Sequence, residues 1–129
     1  MRKQAHKEIG VLIVDDYAIV RKGISALLAT EPGIKVVGEA ENGQEAIRKT
    51  GVLHPDVILM DLVMPIMDGL QATKHIMSHQ PQTRILVLTN FAGTDQILPV
   101  IKAGALGYLP KDSGPQALIQ AIHWVATLK

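Results

Sequence analysis

Short runs of apolar residues alternate along the chain with longer segments in which apolar residues recur every three or four positions. Residues 11–14 and 57–60 are entirely apolar, which is typical of strands buried on both faces of a parallel sheet. Residues 84–89 predict a third buried strand, and the less apolar or shorter segments 35–40 and 107–110 predict edge strands. A helical pattern follows each run. The chain is therefore predicted to consist of five strand–helix units.

Three of the predicted helices begin with residues that are typical of helix starts. Each start combines a polar capping side chain with a second residue that favours the first turn. The starts are Asn42 with Glu45, Asp68 with Gln71, and residues 113–116, where we expect a capped first turn that contains Pro115.

Two helices carry features that affect how they pack. In the helix that follows the first strand, the apolar residues lie on one face, and Arg21 and Lys22 are expected to point away from it. Pro99 falls inside the fourth helical pattern, where it lacks the N–H group that a helix needs. We therefore expect the fourth helix to be short, to begin late or to kink near Leu98.

The strict alternation predicts an α/β fold in which a parallel sheet lies between two layers of helices. Because crossovers between parallel strands are right-handed, we expect a flavodoxin-like (βα)5 doubly wound sheet with strand order 2-1-3-4-5. The first and third strands are then neighbours. Asp15 and Asp16 follow the first strand and Asp61 ends the third, so these carboxylates are expected to converge at one edge of the sheet.

Length and composition restrict the class of protein. The 129 residues suit one domain, expected at residues 9–129 after a flexible polar leader at residues 1–8. The chain has no cysteine, which excludes disulfides and thiolate metal sites and fits a cytoplasmic location. A net charge of +1 does not support direct nucleic-acid binding, and the apolar run behind the leader is too short for a signal peptide or a membrane span.

Three aspartates in one crevice repel each other unless a cation is present. Oxygen ligands of this kind suit Mg²⁺ or Mn²⁺, and one divalent ion together with Lys111 would neutralise Asp15, Asp16 and Asp61. The ion, the Lys111 ammonium and the Thr89 hydroxyl could each contact one oxygen of a phosphoryl group. Asp61 is then the candidate nucleophile, and the product is an aspartyl phosphate.

Several motifs occur in a fixed order along the chain. They are the acidic pair, Asp61 followed by Met64-Pro65 and Asp68-Gly69, Thr89, and the segment from Gly107 to Lys111. This set resembles the receiver domain of two-component response regulators, and the resemblance extends from Ile9 to Leu128. The segments 88–91 and 107–112 resemble the NarL/LuxR-type subfamily, whose receivers precede a helix-turn-helix domain.

The resemblance implies that Asp61 accepts a phosphoryl group from the phosphohistidine of a sensor histidine kinase. It also implies that Asp16, Asp61 and the backbone carbonyl of Val63 ligate Mg²⁺, with Asp15 acting directly or through water. Lys111 would contact the phosphoryl group. Such a domain is a signalling domain that catalyses only its own phosphorylation and dephosphorylation.

The resemblance further implies that Thr89 and Tyr108 form a switch pair that controls an output surface. Phosphorylation would promote a homodimer, either through the first and fifth helices or through the face of the fourth helix. Contact with DNA would require a C-terminal helix-turn-helix domain beyond these residues, and no membrane partner is expected. The chain departs from the commonest pattern at Asp112, where many receivers have proline, and at Pro99.

Other functions fit the residues less well. A phosphohydrolase of the haloacid dehalogenase type needs a second aspartate two residues after its nucleophile, but Val63 follows Asp61 at that spacing. A flavodoxin-like FMN carrier needs a loop rich in serine, threonine or glycine where this chain has its acidic pair. A receiver-like interaction domain that is never phosphorylated remains an alternative. His75 and His79 have a spacing that can bind zinc, but with no carboxylate beside them we expect an exposed helix face.

Overall fold

In the computed structural model, which describes residues 8–90 and 94–128, strands and helices alternate without exception. The predicted leader lies almost entirely outside the described residues. The elements are β1 (Ile9–Val14), α1 (Ala18–Ala29), β2 (Ile34–Ala40), α2 (Gly43–Leu53), β3 (Val57–Asp61), α3 (Gly69–His79), β4 (Arg84–Thr89), α4 (Thr94–Lys102), β5 (Gly107–Pro110) and α5 (Pro115–Ala126).

The five strands form one parallel sheet with the order β2-β1-β3-β4-β5, which confirms the predicted flavodoxin-like topology. The strands β2 and β5 lie at the edges, as predicted. Met60 pairs with Val14 of β1, and Asp61 pairs with Leu88 of β4. The carboxyl ends of the three central strands therefore meet at one edge of the sheet, where the polar side chains follow.

Two apolar clusters cover the two faces of the sheet. Because side chains alternate along a strand, Leu12 and Ile58 belong to one cluster, while Val11 and Val57 belong to the other. The first cluster contains residues of α2, α3 and α4, and the second contains residues of α1 and α5. This two-sided burial explains why residues 11–14 and 57–60 are continuously apolar.

The two helix starts that were predicted at Asn42 and Asp68 are confirmed. The Asn42 side chain accepts a hydrogen bond from the backbone N–H of Glu45, and the Asp68 side chain accepts one from Gln71. Each bond satisfies a backbone donor that has no partner inside its helix. The cap at Asp68 fixes the start of α3 directly behind the loop that follows Asp61.

The predicted cap of α5 is wrong, because no side chain caps this helix. Gly114 is the residue that precedes the first turn, and its φ of 98° is a conformation that glycine adopts without strain. Pro115 stands in the first turn as expected, where the missing proline N–H would have no helical partner.

The helix α4 is short, as expected, but it does not begin late. It comprises nine residues, begins at Thr94 and contains Pro99 in its interior. It ends ahead of Gly104, whose φ of 120° lies in the region that favours glycine. Among the helices in the described residues, none combines the length and the apolar character that crossing a bilayer requires.

Candidate functional site

The candidate site lies at the carboxyl ends of β1, β3 and β4. Asp61 is the last residue of β3, and only 6% of its surface is exposed. Asp15 follows β1 and is also buried, at 2%. A hydrogen bond from the Asp15 N–H to the Ala40 carbonyl extends the pairing of β1 with β2 by one residue. The sheet therefore places both carboxylates in the crevice that the strand order predicted.

Asp15, Asp16 and Asp61 form a compact acidic group. Each of them offers a carboxylate oxygen, and these oxygens lie within 4.8 Å of one another. The Oδ1 atom of Asp16 is buried and has no hydrogen-bond partner among the described residues. A buried carboxylate oxygen that lacks a donor is costly unless a cation contacts it. The group can therefore bind a divalent ion, and its oxygen ligands are the kind that hard cations prefer.

Lys111 provides positive charge beside this group. Its Nζ atom donates a hydrogen bond to Asp15 Oδ2 at 2.6 Å and lies 3.4 Å from Asp61 Oδ2. The N–H of Lys111 also donates to the carbonyl of Thr89, which fixes the lysine at the end of β5. One ammonium group thus joins carboxylates that are 46 residues apart in the sequence.

Burial and charge shift the acidity of two of these groups. Burial, reinforced by the negative charge of Asp15, raises the pKa of Asp61 from 3.8 to about 6, although Lys111 opposes the change. Burial alone would lower the pKa of Lys111, but its hydrogen bond to Asp15 and the charge of Asp61 outweigh that effect and raise it. The lysine therefore stays protonated, and Asp61 is mostly ionised only near neutral pH and above.

A comparison with protein families decides the identity of this arrangement. Residues 11–123 match the model of the response regulator receiver domain. The chain belongs to the response regulator receiver family. It is a signalling domain and not a conventional enzyme.

Individual relatives of this receiver domain are transcriptional regulators. It is 49% identical over 115 residues to the transcriptional regulatory protein LiaR of Bacillus subtilis, which covers 89% of the chain and 54% of LiaR. A LuxR-family response regulator from Aurantimonas is 38% identical with a TM-score of 0.88, covering 93% of this chain and 86% of that one. The receiver domain of NarL from Mycobacterium tuberculosis is 30% identical with a TM-score of 0.91, covering 95% and 99%. These relatives place the receiver in the NarL/LuxR group. The chain spans about half the length of the curated relative it matches.

The remaining predicted site residues lie in two different positions. Thr89, which is 3% exposed, and Val63 line a cleft of about 170 Å³ together with Asp16 and Asp61. Tyr108 does not line this cleft, within the part of the chain that the structure describes, and is 45% exposed on β5. In the sheet it pairs with Val87, two residues before Thr89.

The loop between Asp61 and α3 holds the receiver site in shape. The N–H of Gly69 donates to the carbonyl of Leu62, and a Cβ on Gly69 would lie 2.2 Å from the carbonyl oxygen of Asp61. Only glycine permits this close approach. Within the loop, Ile66 has a φ of 70°, which is rare for a β-branched residue.

Arg21 contributes to the receiver site although its helical position predicted a side chain directed away. Its guanidinium Nη1 donates to the carbonyl of Asp15 at 2.6 Å, and its side chain is only 14% exposed. The helical period could not reveal this contact, because the side chain reaches back over the turn between β1 and α1. His75 and His79 are exposed on α3, as expected, with their rings 4.2 Å apart.

Proposed function

We propose that Asp61 is the phosphoacceptor of this receiver and takes a phosphoryl group from the phosphohistidine of a sensor histidine kinase. The observation that carries the proposal is the position of its carboxylate. It lies at a strand end, 3.4 Å from the Lys111 ammonium and within 4.8 Å of the ligating oxygens of Asp15 and Asp16. A carboxylate with a cation on one side and a metal-binding group on the other suits attack on phosphorus.

In the proposed step, an Oδ atom of Asp61 attacks phosphorus while the P–N bond to the histidine breaks and the imidazole leaves. The product is a mixed anhydride of the aspartate and phosphate. Lys111 stabilises the negative charge on one phosphoryl oxygen, and the hydroxyl of Thr89 donates a hydrogen bond to another. Because Lys111 already contacts Asp15 and Asp61, its charge is in place before the phosphodonor arrives.

We propose Mg²⁺, or Mn²⁺ in its place, as the ion of the acidic group. Asp16, Asp61 and the carbonyl of Val63 would hold it, and Asp15 would act directly or through water. A site with two or three carboxylates and room for water is suited to Mg²⁺. It is less suited to ions that prefer thiolate or imidazole ligands. When bound, the ion neutralises charge on the phosphoryl oxygens.

We propose that phosphorylation changes the output surface through Thr89 and Tyr108 and promotes a homodimer. Thr89 is buried in the cleft that Asp61 also lines, whereas Tyr108 is half-exposed on the neighbouring strand. One residue of the pair therefore lies at the proposed phosphorylation site and the other at the protein surface. In the whole protein, control of transcription would act through a C-terminal helix-turn-helix domain that binds DNA. The receiver would work in the reducing cytoplasm, which its lack of cysteine suits.

The test is the intact mass of the protein after incubation with acetyl phosphate and Mg²⁺. Wild type is expected to gain one phosphoryl group, and Asp61→Asn is expected to gain none. Asp68→Asn is the matched control, because it makes the same chemical change and asparagine caps a helix as well as aspartate does. An adduct on Asp61→Asn, or none on wild type, would refute the assignment.

A further inference from the structure

Arg21 connects the acidic pair to the edge of the sheet. Besides its bond to the Asp15 carbonyl at 2.6 Å, its Nε atom donates to Glu39 Oε1 at 3.1 Å. Glu39 lies on β2, opposite Ile13 in the strand register. The Arg21 side chain therefore reaches from α1 over the β1–α1 turn, with Nη1 on the Asp15 carbonyl and Nε in an ion pair with Glu39.

The carbonyl that Arg21 contacts belongs to the peptide group between Asp15 and Asp16. The peptide group is planar, so the ψ angle of Asp15 and the φ angle of Asp16 set the direction of one carboxylate relative to the other, and a hydrogen bond to the carbonyl between them restrains both angles. The Asp15 side chain is also held directly, since it accepts from the Tyr17 N–H at 2.9 Å and from Lys111. The buried Oδ1 of Asp16 has no such partner among residues 8–90 and 94–128. The direction of Asp16 therefore depends on the backbone that Arg21 holds.

We propose that Arg21 is a positioning residue for the divalent ion, and that its hydrogen bond to the Asp15 carbonyl sets the angle at which Asp15 and Asp16 face the ion. The inference rests on the proposed function, because it requires that the acidic group binds a divalent ion. Hydrogen-bonded groups that orient metal ligands commonly change affinity by about 10- to 100-fold when they are removed.

The positive charge of Arg21 allows an electrostatic effect on Mg²⁺ affinity to be distinguished from a positioning effect. Removing a positive charge near an acidic site strengthens cation binding by simple electrostatics. Loss of positioning weakens it, so the two effects have opposite signs. Lys22→Met is the matched control, because Lys22 also pairs with Glu39, at 3.3 Å, but makes no bond to Asp15 in the described structure.

The experiment is titration of Mg²⁺ into wild type, Arg21→Met and Lys22→Met by calorimetry, with unfolding in urea and EDTA measured beside it. We expect Arg21→Met to bind Mg²⁺ about 10-fold more weakly, and Lys22→Met to stay within about twofold of wild type, since its charge is exposed and screened. A purely structural role would lower the stability of Arg21→Met but leave its Mg²⁺ affinity unchanged. That outcome would overturn the inference.

Two further outcomes keep the test decisive. If Arg21→Met does not fold, Arg21→Lys takes its place, because an ammonium keeps the ion pair with Glu39 but lacks the planar fork by which Nε contacts Glu39 while Nη1 contacts the Asp15 carbonyl. Wild-type affinity in a folded Arg21→Lys would then reject the inference. If wild type itself binds no Mg²⁺, the proposed metal site fails, whereas equal binding by wild type and Arg21→Met refutes the role of Arg21 alone.

Discussion

The carboxyl group of Asp61 is buried, and burial makes its ionised form destabilise the folded state. The folded pKa of about 6 exceeds the reference value of 3.8, so the folded state binds the proton more tightly than the unfolded state. The contribution of Asp61 to the stability of the metal-free domain is largest below about pH 4, declines as the pH rises through the folded pKa, and stays low above it.

We therefore predict that Asp61→Asn stabilises the metal-free domain at pH 7 by up to roughly 3 kcal/mol, the equivalent of the difference between the two pKa values. At pH 4 the gain should nearly vanish, because the wild-type carboxyl is then protonated in the folded state. Urea unfolding in EDTA at both pH values measures the effect. A gain for Asp61→Asn that does not depend on pH would contradict the assigned cause.

Ile66 stores strain in the loop beside the site. Its φ of 70° places a β-branched residue in the left-handed region, and its side chain is 73% exposed, so little packing compensates. We predict that Ile66→Asn stabilises the domain by roughly 1 kcal/mol, since asparagine tolerates this conformation. Ile66→Val keeps the branched Cβ and should change the unfolding midpoint very little. Equal midpoints for the two variants would show that the strain is not relieved by asparagine.

The contact between α3 and β3 couples the start of a helix to Asp61. At Gly69 an added Cβ would meet backbone atoms, at 2.2 Å from the Asp61 oxygen and 2.9 Å from the Leu62 Cα, and neither can yield without moving the strand end. We predict that Gly69→Ala destabilises the domain by about 1–3 kcal/mol and slows the gain of mass from acetyl phosphate. Urea unfolding and timed mass spectrometry measure the two effects.

The same substitution in α1 provides the control with the opposite sign. At Gly23 an added Cβ would have no neighbour within 4 Å among the described residues, so alanine should stabilise the helix by about 0.5–1 kcal/mol. If Gly69→Ala were as stable as wild type, the close approach of α3 to Asp61 would be incorrect.

The elements were predictable where one local signal determined them. Asn42 and Asp68 cap their helices because the side chain that caps and the N–H that it satisfies are three residues apart. The start of α5 at Pro115 agrees with the prediction, but the side-chain cap does not, because Gly114 stands in the capping position with a positive φ that the sequence pattern does not specify. For α4, Pro99 predicted a short helix but not its first residue, because packing of Ile97 and Val100 against the sheet favours the helix on both sides of the proline.

At the scale of the whole molecule, the alternation of strands and helices was sufficient to predict the convergence of Asp15, Asp16 and Asp61. Parallel topology brings the carboxyl ends of β1 and β3 together whatever the loops do. Contacts that depend on the path of one long side chain were not predictable. Arg21 reaches the Asp15 carbonyl from a position that the helical period assigns to the outer face.

A phosphoryl group at Asp61 can change the whole molecule only if several contacts change with it. Converting a domain from almost entirely inactive to almost entirely active takes about 5.5 kcal/mol of differential free energy. One hydrogen bond to a charged group supplies roughly 1.5–3 kcal/mol. Thr89 alone is therefore insufficient, and Lys111, the ion or a dimer contact must supply the remainder.

Because Thr89 supplies only part of the free energy of switching, the Thr89→Ala variant should lose only part of the response to phosphate. The variant should accept phosphate, because Asp61, Lys111 and the acidic group are unchanged, but its phosphate-induced dimerisation constant should fall by roughly 10- to 150-fold, the equivalent of one lost charge-assisted hydrogen bond. Light scattering over a range of concentrations, with and without acetyl phosphate and Mg²⁺, measures that constant.

Thr73→Ala is the control, because Thr73 is equally buried but lies on α3, and its hydroxyl has no partner within the described residues. Normal phosphate-dependent assembly by Thr89→Ala would remove Thr89 from the switch, whereas a loss of the phosphate adduct would assign it to the transfer step instead.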